Sequence, residues 1–226
     1  MADPVRKKLL VIGDGTVGKT CLLIVYTQGT FPLKYIPTVF ENHIKDVTIP
    51  ETNTTVELVL WDTAGQEEVG RYRLRSLYYP NSDVVVICYA IDSPDSLENV
   101  AENWIQEVRH FCPKIPVLLV GTKSDLRNDP QTIASLAKMG QRPVTFEEGQ
   151  KMSQQINAIG YYETSAKSNE GIPIVFEEAA RAAASSTGGG AKKGGTQSAG
   201  SGGGTGIQRD GNWVGGSKKK SKCELL

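Results

Sequence analysis

The sequence predicts an α/β fold, built on a six-stranded and mostly parallel sheet with one antiparallel edge strand and helices on both faces. Strand-like and helix-like segments alternate through residues 8–184, which is the order that builds a parallel sheet. Asp83–Ile91 is almost continuously apolar, as expected of a strand covered on both faces. Ile44–Ile49 and Thr55–Trp61 flank a turn at Pro50–Asn53 and alternate between apolar and polar residues. They therefore predict an antiparallel hairpin that supplies the edge strand.

Apolar periodicity and capping residues define the other elements. The other predicted strands are Lys8–Ile12, Val117–Val120 and Tyr161–Glu163. The predicted helices are Lys19–Gln28, 93–111, Thr132–Met139, 145–157 and Ile174–Ala184. Gly29 ends the first helix and Ser93 caps the second. Thr145 and Glu148 form a capping box at the start of the fourth. Phe31–His43 lacks periodicity and contains two prolines, so we expect an exposed loop there.

Composition divides the chain into one domain and a tail. Apolar residues make up 39% of the 226 residues, and residues 1–184 carry most of them, which suffices for one ordinary domain. Residues 185–217 are dominated by Gly, Ser, Thr, Ala and Lys, which cannot bury enough apolar area to offset the entropy of ordering. We expect a domain over 1–184, with a polar helical insertion at about 127–142, and a flexible tail over 185–226.

Charge and cysteine content narrow the classes of function. The formal net charge is zero, so we expect no nucleic-acid partner. The four cysteines are not at metal-binding or redox spacing, and Cys88 lies in an apolar strand as a core residue. The first residues lack the apolar stretch of a signal peptide, and no segment has the composition of a membrane span. We expect a monomeric, cytosolic domain with reduced thiols.

The organising motif is G-x-x-x-x-G-K-T at residues 13–20, between an apolar strand and the first helix. Its glycines let several backbone N–H groups point at one anion, and the helix beginning near Lys19 adds its positive end. Lys19 can reach the β- and γ-phosphates of a nucleoside triphosphate, and the Thr20 hydroxyl can bind Mg²⁺. A glycine-rich strand-to-helix turn without a ligand is the alternative. The residues predicted to bind nucleotide here are Gly13, Asp14, Gly15, Thr16, Val17, Gly18, Lys19, Thr20 and Cys21.

A second phosphate-side motif, Asp62-Thr63-Ala64-Gly65-Gln66, follows the third strand. Asp62 can hold Mg²⁺ through water, the Gly65 N–H can bind a γ-phosphate, and Gln66 can orient an attacking water. A D-x-x-G turn after a strand is common by itself. Together with the loop at 13–20, it becomes a specific indication of a triphosphate site.

Two motifs that follow later strands are candidates for base recognition. In Thr122-Lys123-Ser124-Asp125, the Asp125 carboxylate can accept hydrogen bonds from guanine N1–H and the 2-amino group, a donor pair that adenine lacks. The Lys123 stem can lie over the base plane. In Thr164-Ser165-Ala166-Lys167, the backbone N–H of Ala166 can donate to guanine O6. Each tetrapeptide is weak evidence alone. The base-site candidates are Thr122, Lys123, Asp125, Ser165, Ala166 and Lys167.

These four motifs come in the order, and at similar spacing, of those in the Ras superfamily of small GTPases, which the chain resembles over roughly residues 6–184. Within that superfamily it resembles the Rho family. Residues 35–42, Tyr-Ile-Pro-Thr-Val-Phe-Glu-Asn, resemble the Rho switch I segment, and residues 60–67, Leu-Trp-Asp-Thr-Ala-Gly-Gln-Glu, resemble the entry to switch II. The polar helical insertion after Asp125 is a Rho-type feature. The resemblance implies a single-domain P-loop GTPase fold.

The resemblance also implies roles that the motifs alone do not. Thr38 would bind Mg²⁺ through its hydroxyl and the γ-phosphate through its backbone, so the implied catalytic residues are Gln66, Lys19 and Thr38. A solvated threonine is the alternative for Thr38. Phe31 would pack on the guanine edge and Tyr35 would close over the phosphates, with ordinary loop packing as the alternative for both. The implied effector surface comprises Tyr35, Ile36, Pro37, Thr38, Val39, Phe40, Glu41, Asn42 and His43.

Three departures from the Rho pattern bear on behaviour. Thr16 replaces the alanine or glycine usual in the phosphate loop, and its stiff β-branched side chain predicts faster nucleotide exchange than in a Thr16→Ala variant. Val69 and Gly70 replace the usual Tyr-Asp pair in switch II, which implies an altered choice of regulators. Ser124 replaces an apolar residue, with little expected effect on base choice.

The last four residues, Cys223-Glu224-Leu225-Leu226, read C-a-a-X with leucine last, which favours geranylgeranylation of Cys223. Glu224 is an unusual second residue. Each basic residue near an anionic leaflet contributes about 1 kcal/mol, and a lipid plus a basic patch provides the two signals that stable anchoring requires. We therefore expect the chain at the cytoplasmic face of the cell membrane, with a cytosolic pool. The basic residues just upstream are Lys218, Lys219, Lys220 and Lys222.

The sequence therefore predicts a membrane-anchored switch that binds GTP or GDP with Mg²⁺, hydrolyses GTP slowly and recruits effectors in its GTP state. The implied partners are guanine nucleotide exchange factors, GTPase-activating proteins, a dissociation inhibitor and effectors of the actin cytoskeleton and cell polarity. The arginines at 71, 73 and 75 are interpreted as surface charges, so an activating protein would supply the catalytic arginine. The alternatives are a nucleotide-binding scaffold with negligible hydrolysis, which Gly15 and Gln66 disfavour, and an ATP-dependent P-loop kinase, which Asp125 disfavours.

Overall fold

The computed structural model describes residues 5–33, 40–63 and 77–185. All of them lie in the first of the two units of the chain, Met1–Gly190. The second unit, Ala191–Leu226, lies outside the described residues. Within the described part of the chain, no helix has the length and apolar character needed to cross a membrane.

Six strands form one sheet in the order β2-β3-β1-β4-β5-β6. Their bounds are β1 Val5–Gly13, β2 Phe40–Ile49, β3 Thr54–Thr63, β4 Val84–Ala90, β5 Val117–Thr122 and β6 Gly160–Glu163. β2 pairs antiparallel with β3, whereas all the other neighbouring strands pair in parallel. The predicted sheet, with its single antiparallel edge strand, is therefore confirmed.

The edge strand is longer than its sequence pattern predicts. β2 begins at Phe40, which is paired with Thr63 of β3, rather than at Ile44. The predicted loop over Phe31–His43 is therefore wrong in its last four residues. Antiparallel pairing satisfies backbone N–H and C=O groups whatever the side chains are, so the ladder continues through polar positions that show no apolar alternation.

Six α-helices surround the sheet in the described part of the chain. Their bounds are α1 Lys19–Gln28, α2 Pro94–Asn99, α3 Ile105–Phe111, α4 Pro130–Ala137, α5 Phe146–Gln155 and α6 Ile172–Ser185. A π-helical turn, Val100–Trp104, separates α2 from α3, where the apolar periodicity predicts one continuous helix. Helix α4 lies in the predicted insertion, starting two residues earlier than predicted because the side chain of Asp129 caps it by accepting a hydrogen bond from the Thr132 N–H.

The predicted caps are confirmed in two cases and wrong in one. Gly29 ends α1 in the left-handed conformation, with a φ of 72°. The predicted capping box of Thr145 is present at α5. Ser93, however, makes no side-chain cap at α2. The buried Ser96 hydroxyl instead accepts a hydrogen bond from the backbone N–H of Ala90 at 3.0 Å, and so joins the start of α2 to the end of β4.

Two apolar cores cover the two faces of the sheet. Because successive side chains of a strand point to opposite faces, Leu9 and Val11 of β1 lie in one core, together with residues of α1 and α6. Leu10 and Ile12 lie in the other, together with residues of the α2–α3 segment. The prediction of helices on both faces is confirmed.

The parallel strands bring the four sequence motifs to one edge of the sheet. β1, β3, β5 and β6 end at Gly13, Thr63, Thr122 and Glu163, within or directly before those motifs. The carboxyl ends of parallel strands share one edge, where α/β proteins bind their ligands. At Gly13, where φ is 140°, a Cβ atom would lie 2.1 Å from the carbonyl oxygen of Cys88, so β1 can leave the sheet only through glycine.

Candidate nucleotide-binding site

The phosphate loop, residues 13–20, is held by its own lysine. Lys19 is 5% exposed, and its Nζ donates hydrogen bonds to the carbonyl oxygens of Gly13, at 2.9 Å, and Asp14, at 2.6 Å. Gly18, with a φ of 96°, is the residue directly before α1, which begins at Lys19 as predicted. The N-terminus of α1 and a buried ammonium group therefore converge on the loop, an arrangement that favours an anion.

The end of β5 fastens the same loop from the base side. The Thr122 hydroxyl lies within hydrogen-bonding distance of the Val17 carbonyl in the phosphate loop, and 2.9 Å from the Tyr89 carbonyl in β4. Thr122 is 3% exposed, so these hydrogen bonds of its hydroxyl are buried. Thr122 therefore contacts the phosphate loop and links that loop to the base-recognition motif at residues 122–125.

Asp14 turns its carboxylate away from the loop interior. One oxygen accepts a hydrogen bond from Asn99 Nδ2 and the other accepts one from Trp104 Nε1, each at 2.7 Å. The sequence predicts Asp14 as a nucleotide-binding residue on the strength of the motif alone. Asn99 and Trp104 escape sequence analysis because they lie 85 and 90 residues away from Asp14 along the chain.

Two of the three residues predicted to hold Mg²⁺, Thr20 and Asp62, lie on α1 and β3, whereas Thr38 lies outside the described residues. Asp62, near the end of β3, is fully buried and is paired in register with Val11, two residues before the phosphate loop begins. The Thr63 hydroxyl donates to the Val11 carbonyl at 2.8 Å and fixes this strand end. Thr20 lies in the first turn of α1. A carboxylate and a hydroxyl are the ligand types that Mg²⁺ prefers, so these residues fit the ion.

Five of the six predicted base-site residues line one pocket of about 160 Å³, and the sixth, Ser165, contacts Asp125. The Asp125 carboxylate accepts a hydrogen bond from the Ser165 hydroxyl at 2.6 Å, and Ser165 is fully buried, so the carboxylate has a fixed orientation. Lys123 Nζ lies 3.1 Å from the Asp92 carboxylate, an ion pair that positions the lysine stem beside the pocket. The pocket is lined by Gly18, Cys21, Leu22, Phe31, Thr122, Lys123, Asp125, Leu126, Thr164, Ala166 and Lys167.

Two thiols lie near the site, one in the core at Cys88 and one partly buried at Cys21. Cys88 is fully buried as predicted, and burial raises the pKa of its thiol to about 12. Burial also raises the pKa of the Cys21 thiol, which lines the base pocket. A thiol with a raised pKa is a poor nucleophile at neutral pH, so neither cysteine is suited to covalent chemistry.

A bidentate ion pair joins the two loops that carry the base-site residues. Arg127 follows the Asp125 turn, and Glu163 ends β6 just before the loop with Ala166. Arg127 Nη1 and Nη2 donate to the two Glu163 carboxylate oxygens at 2.7 and 2.5 Å, and Arg127 Nε donates to the Val144 carbonyl at 3.0 Å. Hydrogen bonding to Glu163 raises the pKa of Arg127. No motif predicts this pair, because it joins residues 36 positions apart.

Breaking the Arg127–Glu163 ion pair is expected to weaken binding of the guanine base. Glu163→Gln should speed GDP release by about fivefold, because the neutral amide cannot accept both guanidinium bonds and the pair is only partly exposed. The difference between the release rates of GDP and of IDP, which lacks the 2-amino group, should become smaller as well. Both release rates can be measured by fluorescence. Arg142→Gln, which breaks a similar but exposed bidentate pair with Glu148, should leave release unchanged. Equal effects from both variants would contradict the expectation.

Thr16 adopts a backbone conformation that suits its residue type poorly. Its φ is 57°, in the left-handed region, where a β-branched side chain is strained. Backbone strain at Thr16 is therefore a physical reason to expect faster nucleotide exchange than in a Thr16→Ala variant. Thr16→Ala should slow GDP release about two- to threefold by relieving part of this strain, and Thr16→Gly should slow it further. Stopped-flow release is the measurement, with Thr52→Ala in the exposed hairpin turn as control. Equal or faster release from Thr16→Ala would refute it.

Several predicted site residues lie outside the described part of the chain. In switch I and the effector surface these are Tyr35, Ile36, Pro37, Thr38 and Val39. In switch II they are Gly65, Gln66, Val69 and Gly70, together with the arginines at 71, 73 and 75. In the tail they are Cys223 and the four lysines at 218–222. The roles predicted for all of these residues stay predictions.

The fold and the site define a P-loop nucleotide-binding protein whose base pocket carries a fixed carboxylate. Residues 8–185 match the Ras family. GTP-binding protein rho5 and GTP-binding protein rho1 of Schizosaccharomyces pombe are each 58% identical to the chain over 181 residues, which is 80% of this chain and 88% of each relative. GTP-binding protein RHO1 of Saccharomyces cerevisiae is 58% identical over 181 residues, or 80% of this chain and 85% of that protein. The chain therefore belongs to the Ras family and is a Rho-type small GTPase.

Proposed function

We propose that this Rho-type GTPase is a membrane-anchored switch that takes GTP with Mg²⁺, presents an effector surface in that state and resets by hydrolysis. The observation that carries the choice of guanine is the Asp125 carboxylate, fixed by Ser165 at 2.6 Å and facing the pocket next to the phosphate loop. The observation that carries the choice of a phosphate ligand is the buried Lys19 within that loop.

Each residue of the site has a distinct part in this function. Lys19 neutralises charge on the β- and γ-phosphates, and loop N–H groups and the start of α1 bind their oxygens. Thr20, Thr38 and, through water, Asp62 would hold the Mg²⁺, which when bound offsets phosphate charge as the terminal bond breaks. Gln66 orients a water for in-line attack, and Gly65 donates its N–H to the γ-phosphate. The role of Thr38 rests on the family resemblance, and the roles of Gly65 and Gln66 rest on the motif at residues 62–66.

Loss of the third phosphate is what resets the switch. Thr38 and Gly65 contact the γ-phosphate in the GTP state, so its release frees switch I and switch II together. Effectors would bind the surface at 35–43 when switch I is held. Exchange factors, a dissociation inhibitor and activating proteins would act at the same switches, with an arginine from the activating protein adding a factor of about 10³–10⁵ to the hydrolysis rate.

The C-terminal residues support anchoring of this switch to a membrane. A prenyl group on Cys223, with the four lysines at 218–222, would hold the monomeric domain at the cytoplasmic face of the cell membrane, with a cytosolic pool. Signalling to the actin cytoskeleton and to cell polarity is the role we propose there. A Cys223→Ser variant that still fractionates with membranes would contradict this mode of anchoring.

Single-turnover hydrolysis tests the proposed function directly. The chain loaded with GTP and Mg²⁺ should release phosphate slowly, and faster with a Rho-type activating protein. Gln66→Leu should lower the hydrolysis rate by about tenfold or more without lowering GTP affinity, because it removes the group that orients water but no phosphate ligand. Gln150→Leu, on the exposed face of α5, is the matched control. Tight GTP binding without hydrolysis by the unmodified chain would instead indicate a scaffold, and preference for ATP would indicate a kinase.

A further inference from the structure

One carboxylate joins the phosphate loop to the helical segment beside it. The two oxygens of Asp14 are each engaged at 2.7 Å, one by Asn99 Nδ2 and the other by Trp104 Nε1. Trp104 is 1% exposed and belongs to the apolar core, so this end of the connection is fixed by packing. Asp14 immediately precedes Gly15 in the loop. The position of the loop backbone is therefore coupled to a side chain anchored in the core.

The π-helical turn explains how both donors reach one carboxylate. Asn99 and Trp104 are five residues apart, and in an α-helix such residues point about 140° away from each other. In the turn Val100–Trp104, the Ile105 N–H donates to the Val100 carbonyl, which is the wider hydrogen-bonding pattern of a π-helix. A wider turn brings residues five apart towards the same face. The interruption between α2 and α3 thus places two donors against the phosphate loop.

The charge of Asp14 does not by itself favour a phosphate ligand. A carboxylate in this loop repels an anion, and the repulsion would weaken binding. Hydrogen bonds in which the acceptor is ionised are roughly twice as strong as neutral ones, so an aspartate holds two fixed donors more firmly than an amide would. A favourable role for the carboxylate must therefore come from geometry. Removing the charge of Asp14 while keeping its shape distinguishes repulsion from positioning. Loss of repulsion would strengthen nucleotide binding, whereas loss of positioning would weaken it.

We propose that Asp14 is a positioning residue, which holds Gly15 and the neighbouring loop backbone in the geometry that binds nucleotide phosphates. Asn99 and Trp104 are its anchors, and the π-helical turn is the structural means of presenting them. This inference rests on the proposed GTPase function and adds the segment 94–111 to the phosphate site. Asp14 acts through the loop backbone rather than by touching the nucleotide with its side chain.

Nucleotide release from an Asp14→Asn variant of the full chain tests the proposal. The amide has the same size but keeps only one acceptor, and its NH₂ group faces one of the two donors. GDP release, followed with a fluorescent GDP analogue, is expected to be about tenfold faster, since one hydrogen bond to a charged group is lost. If charge repulsion dominated, the same variant would release GDP more slowly, and that result would overturn the proposal.

Three further measurements distinguish positioning from general stability. Trp104→Phe keeps the ring in the core and removes its N–H, so it should also speed release, and its effect should not multiply with that of Asp14→Asn. Gln106→Ala removes an exposed amide that donates to the Ala101 carbonyl of its own helical segment, and should release GDP at the wild-type rate. The phosphorus NMR resonance of the bound β-phosphate should shift in Asp14→Asn and stay in place in Gln106→Ala. A mere loss of stability would not move that resonance.

The outcomes separate this inference from the function on which it rests. Wild-type release and a wild-type phosphorus spectrum in Asp14→Asn would overturn the positioning role, as would effects of Asp14→Asn and Trp104→Phe that simply multiply. Failure of the unmodified chain to bind or hydrolyse GTP would refute the proposed function instead.

Discussion

Replacement of Asp125 by alanine is expected to lower the affinity for GDP by about 10³-fold, because two donors of the guanine base lose a charged acceptor inside a pocket. The structure supports so large an effect, since the Asp125 carboxylate is already fixed by the fully buried Ser165 at 2.6 Å. A fixed acceptor has little orientational entropy to lose on binding. Affinity for ADP, which lacks the donor pair, should change little, so the preference for guanine over adenine should collapse.

Competition titration with GDP, IDP and ADP measures this expectation. Asp129→Ala is the matched control, because Asp129 is a nearby carboxylate that caps α4 by accepting a hydrogen bond from the Thr132 N–H at 2.8 Å. Loss of that cap should lower the stability of the protein slightly and leave the preference for guanine intact. An Asp125→Ala variant that keeps its preference for guanine would show that other groups recognise the base.

Replacement of Lys19 by alanine is expected to lower the affinity for GDP and GTP by about 10³-fold or more, whichever base is attached. Two losses add here. The phosphates lose a charged partner, and the carbonyl oxygens of Gly13 and Asp14 lose the donor that holds them at 2.9 and 2.6 Å. The loop then loses its internal support as well as its charge.

Equilibrium binding and thermal unfolding together measure the effect of Lys19→Ala. Lys7→Ala is the control, since Lys7 is another largely buried lysine of the same region of sequence, paired with Asp83 at 3.0 Å near the opposite end of β1. It should lower stability while leaving GDP affinity near the wild-type value. If Lys19→Ala bound GDP as tightly as Lys7→Ala does, Lys19 would not be a phosphate-binding residue.

Local sequence patterns predicted the sheet, the helices and the grouping of the motifs. Apolar runs such as Asp83–Ile91 reveal buried strands because both faces of the sheet are covered. Strand direction then places Gly13, Thr63 and Thr122 at one edge, without knowledge of any long-range contact. The base-site residues could thus be identified from their motifs alone, and in the structure all of them except Ser165 line one pocket.

Long-range contacts of polar side chains could not be predicted in this way. The Arg127–Glu163 pair and the Asp14–Trp104 hydrogen bond join residues 36 and 90 positions apart, and no periodicity relates them. The π-helical turn Val100–Trp104 is hidden too, because its residues keep an apolar pattern that also suits an α-helix. The start of β2 at Phe40 depends on pairing with β3 rather than on local composition.

The internal support of the phosphate loop has a consequence for the lifetime of the bound state. Lys19 and Thr122 engage loop carbonyls through contacts made within the chain itself, so the entropy of ordering this segment is lost during folding rather than on ligand capture. A phosphate loop that is already ordered before binding can hold a bound nucleotide for a long time. Rapid turnover of guanine nucleotide would then require an outside protein that dislodges the lysine from those carbonyls.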